Sequence, residues 1–209
     1  VSIFVGCGSN NTPDTGKNND VSDEISGDSS GIIESNGNVL VAYFSRRGEN
    51  WQVGYIEKGN TEIVAEMIAE ETNADLFAIQ PVVPYPDVYS EMLEVSRRET
   101  SENARPAIKN TIADFDKYDV IFIGYPIWNG TCPMIIRTFT ESYDFSGKTV
   151  IPFCTHAGSG LGSSVSAIRS QLQSATVLNG LAVQGTTAQN NREETKNTVA
   201  KFIKDLNID

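Results

Sequence analysis

The chain has 209 residues, a formal net charge of −11 and 39% hydrophobic residues. This length fits one domain and a tail, with enough apolar side chains to bury a core. The acidic balance argues against a nucleic-acid-binding surface, which needs clustered Lys and Arg to neutralise phosphates. The chain has three cysteines, too few for a disulfide scaffold, and a single histidine, too few for a His-based zinc site.

The N-terminal segment differs in composition from the rest. Residues 1–7, VSIFVGC, resemble the end of a bacterial lipoprotein signal, with Cys7 as the lipidated residue. An accidental apolar end with a free cysteine is the alternative. Residues 8–37 are rich in Asn, Ser, Asp and Gly, hold six acidic side chains against Lys17, and should form a disordered tether. We therefore expect a domain outside the cytoplasm, attached to the cell membrane only through its lipid anchor.

Residues 38–209 alternate strand and helix five times, which predicts an open, doubly wound parallel sheet with helices on both faces. In such sheets, ligands bind at the carboxyl ends of the strands, where the strand order reverses. The predicted strands cover 39–44, 75–80, 119–124, 148–154 and 176–185. The predicted helices cover about 60–73, 133–142 and 161–172, with two more around Val88, Met92 and Val95 and around Val199, Phe202, Ile203 and Leu206.

The loop after the first strand has the composition of an anion site. Ser45 follows the strand, and Gly59, Asn60 and Thr61 open the next helix. Backbone N–H groups and the helix dipole favour negative charge at such a helix start. The G-x-G-x-x-G and G-x-x-x-x-G-K-[ST] fingerprints are absent, so the prediction of a phosphate ligand depends on the other loops.

Two further loops should meet this one. The loop after the third strand, 125–131, contains Trp128, whose indole could stack on a planar ring or serve as a core or lid residue. The loop after the fourth strand, 155–164, is dense in glycine, which allows backbone N–H groups to point at an acceptor. A phosphate-binding loop, a stacking surface and a glycine-rich wall are together the parts of an FMN site.

The sequence resembles the flavodoxin family, and in particular its flavodoxin-like lipoprotein branch. The matching stretches are VLVAYFSRRGE, KGNTEIVAEMIAEETNADLFAI, YDVIFIGYPIWNGTCPMIIRTF and GKTVIPFCTHAGSGLGSS. The resemblance implies a flavodoxin-like five-stranded fold and FMN as cofactor. It implies a phosphate site at Ser45, Arg47, Asn60 and Thr61, a ring site at Pro126, Ile127, Trp128, Asn129 and Gly130, and a second wall at Thr155, His156, Gly158, Ser159 and Gly160.

Two features depart from the flavodoxin pattern. Residues 49–58 are inserted between Ser45 and Asn60, and the sequence leaves open whether Trp51 and Tyr55 cover the flavin or pack outside it. Acidic residues are also scarce around Trp128, whereas electron-carrying flavodoxins tend to be strongly acidic there. The second departure weakens the assignment as a pure electron carrier.

His156 is the single histidine of the chain, so any reaction that needs a histidine would have to use it. A Ser-His-Asp hydrolase is disfavoured because no G-x-S-x-G motif follows a strand. A phosphoacceptor receiver domain needs acids at the ends of the first and third strands, where this chain has Ser45 and Gly124. His156 either donates to the flavin pyrimidine edge or is a hydrogen-bonded loop residue.

Three functions remain. The first is an FMN-dependent oxidoreductase that passes electrons or hydride to a quinone-like or other small acceptor, with the chemistry carried by the flavin. The second is an electron shuttle that serves a redox partner protein. The third is a binding module that has kept the fold and lost FMN.

Smaller expectations concern individual residues. Cys132 and Cys154 follow predicted strands and are expected to be small buried residues. Pro152 lies within a predicted central strand, which implies a bulge. The charged segment 84–106 is expected to be a solvated amphipathic helix, with a substrate mouth or a dimer contact as alternatives.

Overall fold

Parallel strands form the centre of the domain. The computed structural model describes residues 38–206; the predicted lipidation site Cys7 and tether 8–37 lie outside the described residues. The strands are β1 (Val39–Tyr43), β2 (Gly48–Asn50), β3 (Gly54–Ile56), β4 (Asp75–Ala78), β5 (Val120–Pro126), β6 (Thr149–His156), β7 (Thr176–Val177) and β8 (Leu181–Gln184). The helices are α1 (Asn60–Thr72), α2 (Tyr89–Ser101), α3 (Met134–Glu141), α4 (Ser164–Gln171), α5 (Gly185–Asn190) and α6 (Arg192–Leu206).

The main sheet has the order β4-β1-β5-β6, and β7 and β8 share the outer edge of β6. All of its pairs are parallel. This confirms the predicted doubly wound sheet, because β7 and β8 together occupy the position of the fifth strand. The direction of winding reverses between β1 and β5, so a crevice opens at their carboxyl ends.

Pro152 does not produce a bulge in its own strand. The register between β5 and β6 is unbroken, with Ile123 opposite Pro152. The irregularity lies in the next strand, because Val150 pairs with Val177 whereas Phe153 pairs with Leu181. One extra residue is accommodated there, where β7 ends and β8 begins. Proline lacks the N–H that a regular neighbour would need, so the outer strand breaks opposite it.

Side chains from the two faces of the sheet enter separate hydrophobic clusters. The cluster beneath α2, α3 and α4 is rich in aromatic residues, including Phe115, Phe139 and Phe145. The cluster beneath α1, α5 and α6 is mainly aliphatic, and Val199 is fully buried in it. Strand β5 contributes alternate residues to both clusters, which explains its continuous apolar sequence.

The insertion folds as an antiparallel hairpin of β2 and β3, a feature that the sequence did not predict. Its turn contains Gln52 and Gly54 with positive φ angles of 65° and 82°. The Glu49 N–H donates to the Asp87 carbonyl at 2.7 Å, which joins the hairpin to the segment before α2. The hairpin therefore lies against the domain.

The expectation for the two cysteines of the described residues is met. Cys132 and Cys154 are buried free thiols, as predicted. Burial raises the pKa of the Cys154 thiol to about 12, so this sulfur stays protonated at neutral pH. Over the described residues, no helix is long and apolar enough to span a membrane.

Candidate functional site

A cleft lies at the carboxyl ends of β1, β5 and β6, where the three predicted loops meet. No Lys, Arg, Asp or Glu occurs among the described residues that line it. Half of the lining comes from residues predicted from the sequence, namely Asn60, Pro126, Ile127, Trp128, Asn129, Thr155 and His156. The other half was not predicted and consists of Asn50, Trp51, Tyr89, Met92, Leu93, Ala157 and Gly185.

The start of α1 is packed tightly against the loop after β1. The Glu62 N–H donates to Ser45 Oγ at 3.1 Å, which satisfies one of the free amides of the helix start. A Cβ atom at Gly59 would lie 2.1 Å from Ser45 Oγ and 2.7 Å from the Arg46 carbonyl oxygen. Only glycine fits here, so the sequence Gly59-Asn60-Thr61 can bring the helix start close to Ser45.

Asn60 lines the cleft and has an unused acceptor. Its Oδ1 atom is buried and has no hydrogen-bond partner among the described residues. Its Nδ2 atom lies near Gly185, where a Cβ would approach it to 2.5 Å. A buried acceptor without a partner is costly, and a ligand hydroxyl could satisfy it.

Thr61 and Thr155 are hydrogen-bonded to each other beside the cleft, and of the two only Thr155 lines it. Their hydroxyl oxygens are 2.8 Å apart, and the residues are 1% and 3% exposed. This bond joins α1 to the end of β6 and fixes the distance between two of the three loops. The structure therefore brings the two predicted site residues together, as partners of one another.

Trp128 is held edge-on by two other rings. Its ring centroid is 5.4 Å from that of Phe44 and 5.0 Å from that of Tyr85, at interplanar angles of 87° and 78°. The Tyr85 hydroxyl in turn donates to Glu99 Oε2 at 2.9 Å. Edge-to-face contacts of this kind favour one ring orientation, so the indole presents a fixed surface to the cleft.

The backbone of the same loop forms a tight turn. Trp128 and Thr131 exchange two backbone hydrogen bonds of 2.9 Å, and Asn129 and Gly130 have φ angles of 49° and 77°. Two positive φ angles in a two-residue turn favour the Asn-Gly pair seen here. The Asn129 side chain also donates to Ser96 Oγ of α2 at 2.9 Å, which orients the loop.

His156 is a neutral donor in this geometry. The Gly158 N–H donates to His156 Nδ1 at 2.9 Å, so the ring proton of the neutral imidazole lies on Nε2. Burial lowers the pKa of His156. The ring thus accepts a hydrogen bond within its own loop and keeps its Nε2–H for a ligand, so its role as a donor to the flavin stays a prediction.

The glycine-rich loop after β6 packs on the turn after β5. Ser163 donates to the Gly130 carbonyl oxygen through its backbone N–H at 2.9 Å and its hydroxyl at 3.2 Å. A Cβ at Gly162 would lie 2.2 Å from that oxygen. Four residues predicted for the ring site lie outside the cleft lining in the described structure: Gly130, Gly158, Ser159 and Gly160.

Ser45 and Arg47 line a neighbouring cavity rather than the cleft itself. The Arg47 guanidinium binds Asp87 Oδ2 at 3.2 Å in an exposed ion pair. The buried Arg46 donates to the backbone carbonyls of Pro86, Asp87 and Glu49. The arginine predicted for the phosphate thus has another partner, and its predicted role there stays a prediction.

The insertion contributes an aromatic residue to the cleft. Trp51 lines it, whereas Tyr55 of the same hairpin does not; a flavin contact of either ring stays a prediction. The Trp51 ring lies 5.7 Å from the Tyr89 ring at the start of α2. The position of Trp51 in the insertion could have suggested that it lines the cleft, but nothing in the sequence marked Tyr89 as a lining residue.

The strand order and the cleft at the β1/β5 crossover define a flavodoxin-like α/β protein. The Flavodoxin family model matches residues 38–202, and the chain belongs to this family. None of the curated proteins gives a significant match.

Solved structures agree with this assignment. A candidate flavoprotein from Bacteroides uniformis is 31% identical, covers 80% of this chain and 98% of its own, and has a TM-score of 0.65. One from Bacteroides eggerthii is 29% identical over 82% and 99%, with a TM-score of 0.66. A Lactobacillus acidophilus flavoprotein in complex with FMN shares the fold at 22% identity, over 72% of this chain and 94% of that one, with a TM-score of 0.57.

Proposed function

We propose that the cleft binds FMN and that the protein passes electrons from it to a quinone-like or other small acceptor. Family membership supports the cofactor, as does the FMN complex of the Lactobacillus acidophilus flavoprotein. The observation that carries the proposal is the unpartnered buried Oδ1 of Asn60. This acceptor lies at the start of α1, in the same cleft as Trp128 and His156.

The start of α1 would hold the phosphate. The helix dipole favours an anion there, and the first amides of a helix, apart from that of Glu62, which donates to Ser45 Oγ, have no partner within the helix. Asn60 Oδ1 would accept a hydrogen bond from a ribityl hydroxyl. Thr61 would act mainly by keeping α1 bonded to Thr155.

The other two loops would hold the ring. Trp128 supplies a flat apolar surface fixed by its aromatic neighbours, and Pro126 and Ile127 extend that surface. His156 would donate its Nε2 proton to a carbonyl of the pyrimidine edge. When bound, FMN supplies the redox chemistry, and the protein supplies position and hydrogen bonds.

The cofactor proposal is tested with a substitution that adds a negative charge to one side chain of the cleft without changing that side chain's shape. In Asn60→Asp, a carboxylate replaces the amide of the first residue of α1 and so repels the phosphate proposed to bind at this helix start; we expect FMN affinity to fall about tenfold or more. Riboflavin, which lacks the phosphate, should be affected less. Asn197→Asp is the matched control, because Asn197 is exposed on α6 and does not line the cleft.

Affinities would be measured by flavin fluorescence titration of the apoprotein. The proposal holds if wild type and Asn197→Asp bind FMN alike and Asn60→Asp binds it weakly. It is wrong if the wild-type protein takes up no FMN, which would favour a binding module that has lost the cofactor.

The acceptor is tested separately. The absence of charged side chains from the described cleft lining favours a small neutral acceptor over an electron shuttle that serves a protein. We expect the dithionite-reduced, FMN-loaded protein to be reoxidised by duroquinone without oxygen. One quinone, taking up two electrons and two protons, would be consumed per FMN. Reoxidation by a redox protein but not by duroquinone would favour the shuttle.

We further propose that the domain is held at the outer face of the cell membrane by a lipid on Cys7. The apolar stretch before Cys7 and the polar composition of residues 8–37 support this. Cys7→Ser in the natural precursor should move the protein from the membrane to the soluble fraction. Unchanged membrane association would contradict the anchor.

A further inference from the structure

We propose that Trp51 and Tyr89 form the binding surface for the electron acceptor, and that this acceptor is a neutral planar ring of the quinone class. The inference rests on the proposed function, because the cofactor would lie in the same cleft. It assigns a role to the inserted hairpin, which the flavodoxin pattern lacks.

The exposure of Trp51 is the first observation. Trp51 lies in the turn between β2 and β3, and 61% of its surface is exposed. An indole left in water gains little from folding, yet this one lies at the edge of the cleft. A ligand ring stacked on it would remove that apolar surface from water.

The hairpin is fastened in a way that holds the aromatic pair together. Glu49 Oε2 accepts the Tyr89 N–H at 3.0 Å, and the Glu49 N–H donates to the Asp87 carbonyl at 2.7 Å. The Trp51 and Tyr89 rings lie 5.7 Å apart, tilted by 33°. The surface is thus assembled before a ligand arrives, which lowers the entropy cost of binding.

The chemistry of the lining selects the ligand. Met92 and Leu93 of α2 extend the apolar surface beside Tyr89. None of the described lining residues carries a charged side chain, and at this end of the cleft the start of α2 is already bonded to the Glu49 carboxylate, so a phosphate-bearing or strongly anionic acceptor finds no counter-charge there. A neutral flat ring fits these conditions, and aromatic stacking supplies its affinity.

The experiment measures binding without turnover. The full chain, loaded with oxidised FMN, is titrated with duroquinone by equilibrium dialysis; its fully substituted ring cannot add to thiols. The variants are Trp51→Ala, Trp51→Phe and, as the matched control, Tyr55→Ala. Tyr55 is a 56% exposed aromatic of the same hairpin that does not line the cleft. FMN affinity is measured for all four proteins.

We expect Trp51→Ala to weaken duroquinone binding about tenfold, Trp51→Phe to weaken it less, and Tyr55→Ala to match wild type. FMN affinity should be equal in all of them. The inference is overturned if FMN-loaded wild type does not bind duroquinone, or if Trp51→Ala and Tyr55→Ala behave alike. It is also overturned if Trp51→Ala loses FMN affinity instead, because Trp51 would then cover the cofactor. Failure of wild type to bind FMN would refute the proposed function itself.

Discussion

The two ends of the cleft differ in how tightly their side chains are packed. At the start of α1, Thr61 and Thr155 are almost fully buried and bonded to each other, and Gly59 leaves no room for a Cβ atom. At the hairpin, Trp51 is largely exposed and contacts the Tyr89 ring on one side, at a centroid distance of 5.7 Å. A close-packed end tolerates few changes and can hold one ligand accurately, whereas an open aromatic end can accept related rings.

The largest effect is expected from Gly59→Ala, which tests the close-packed end directly. The new methyl group would overlap Ser45 Oγ and the Arg46 carbonyl, so the loop or the helix start must shift. We expect stability to fall by about 1–3 kcal/mol and FMN binding to be lost in fluorescence titration. Gly147→Ala is the control, because Gly147 has a φ of 74° but open space around it. The Gly147→Ala control should lose some stability and still bind FMN. If Gly59→Ala also keeps its FMN affinity, close packing at Gly59 is not needed to hold the cofactor.

The next effect concerns the buried hydroxyl pair. Thr155→Val leaves the Thr61 hydroxyl buried without its partner, which should cost about 1–3 kcal/mol. The double variant Thr61→Val/Thr155→Val removes both polar groups and should recover part of that loss. Urea unfolding of the wild-type, Thr61→Val, Thr155→Val and double-variant apoproteins measures the four free energies of this cycle. If the losses of unfolding free energy of the two single variants sum to the loss of the double variant, the hydroxyls are not coupled.

A smaller effect is expected at the open end. Glu49→Ala removes the acceptor that caps the Tyr89 N–H at the start of α2, and should cost about 1 kcal/mol. Trp51 fluorescence should also change, since Glu49 fastens the hairpin that carries it. Glu94→Ala, an exposed α2 position, is the control for both measurements. Equal stability of the two variants would mean that the hairpin is not fastened through Glu49.

The smallest effect concerns pH. Because burial lowers the pKa of His156, the folded protein binds this proton less readily than the unfolded chain. Stability should therefore decrease as the pH falls below the unfolded value of about 6.5 and stop decreasing below the folded pKa. His156 is the single histidine, so one imidazole signal in a proton NMR titration reports its pKa. A midpoint above that of a model peptide would contradict the expected direction.

The sequence predicted the sheet because its signals are local. Continuous apolar runs such as 119–124 indicate strands covered on both faces, and Gly59-Asn60-Thr61 indicates a helix start. Trp128 lies in the loop after the run 119–124, so its place at the carboxyl edge followed from the topology alone. These features depend on neighbours along the chain and needed no knowledge of the rest of the molecule.

Only the tertiary structure determined which side chains contact each other. Thr61 and Thr155 are 94 positions apart, and Arg47 finds Asp87 across 40. The partnership of Trp51 with Tyr89 likewise depends on how the hairpin packs against α2. Hydrogen bonds and ring contacts require atoms within a few ångströms of each other, and such closeness between distant segments is set by packing rather than by local sequence pattern.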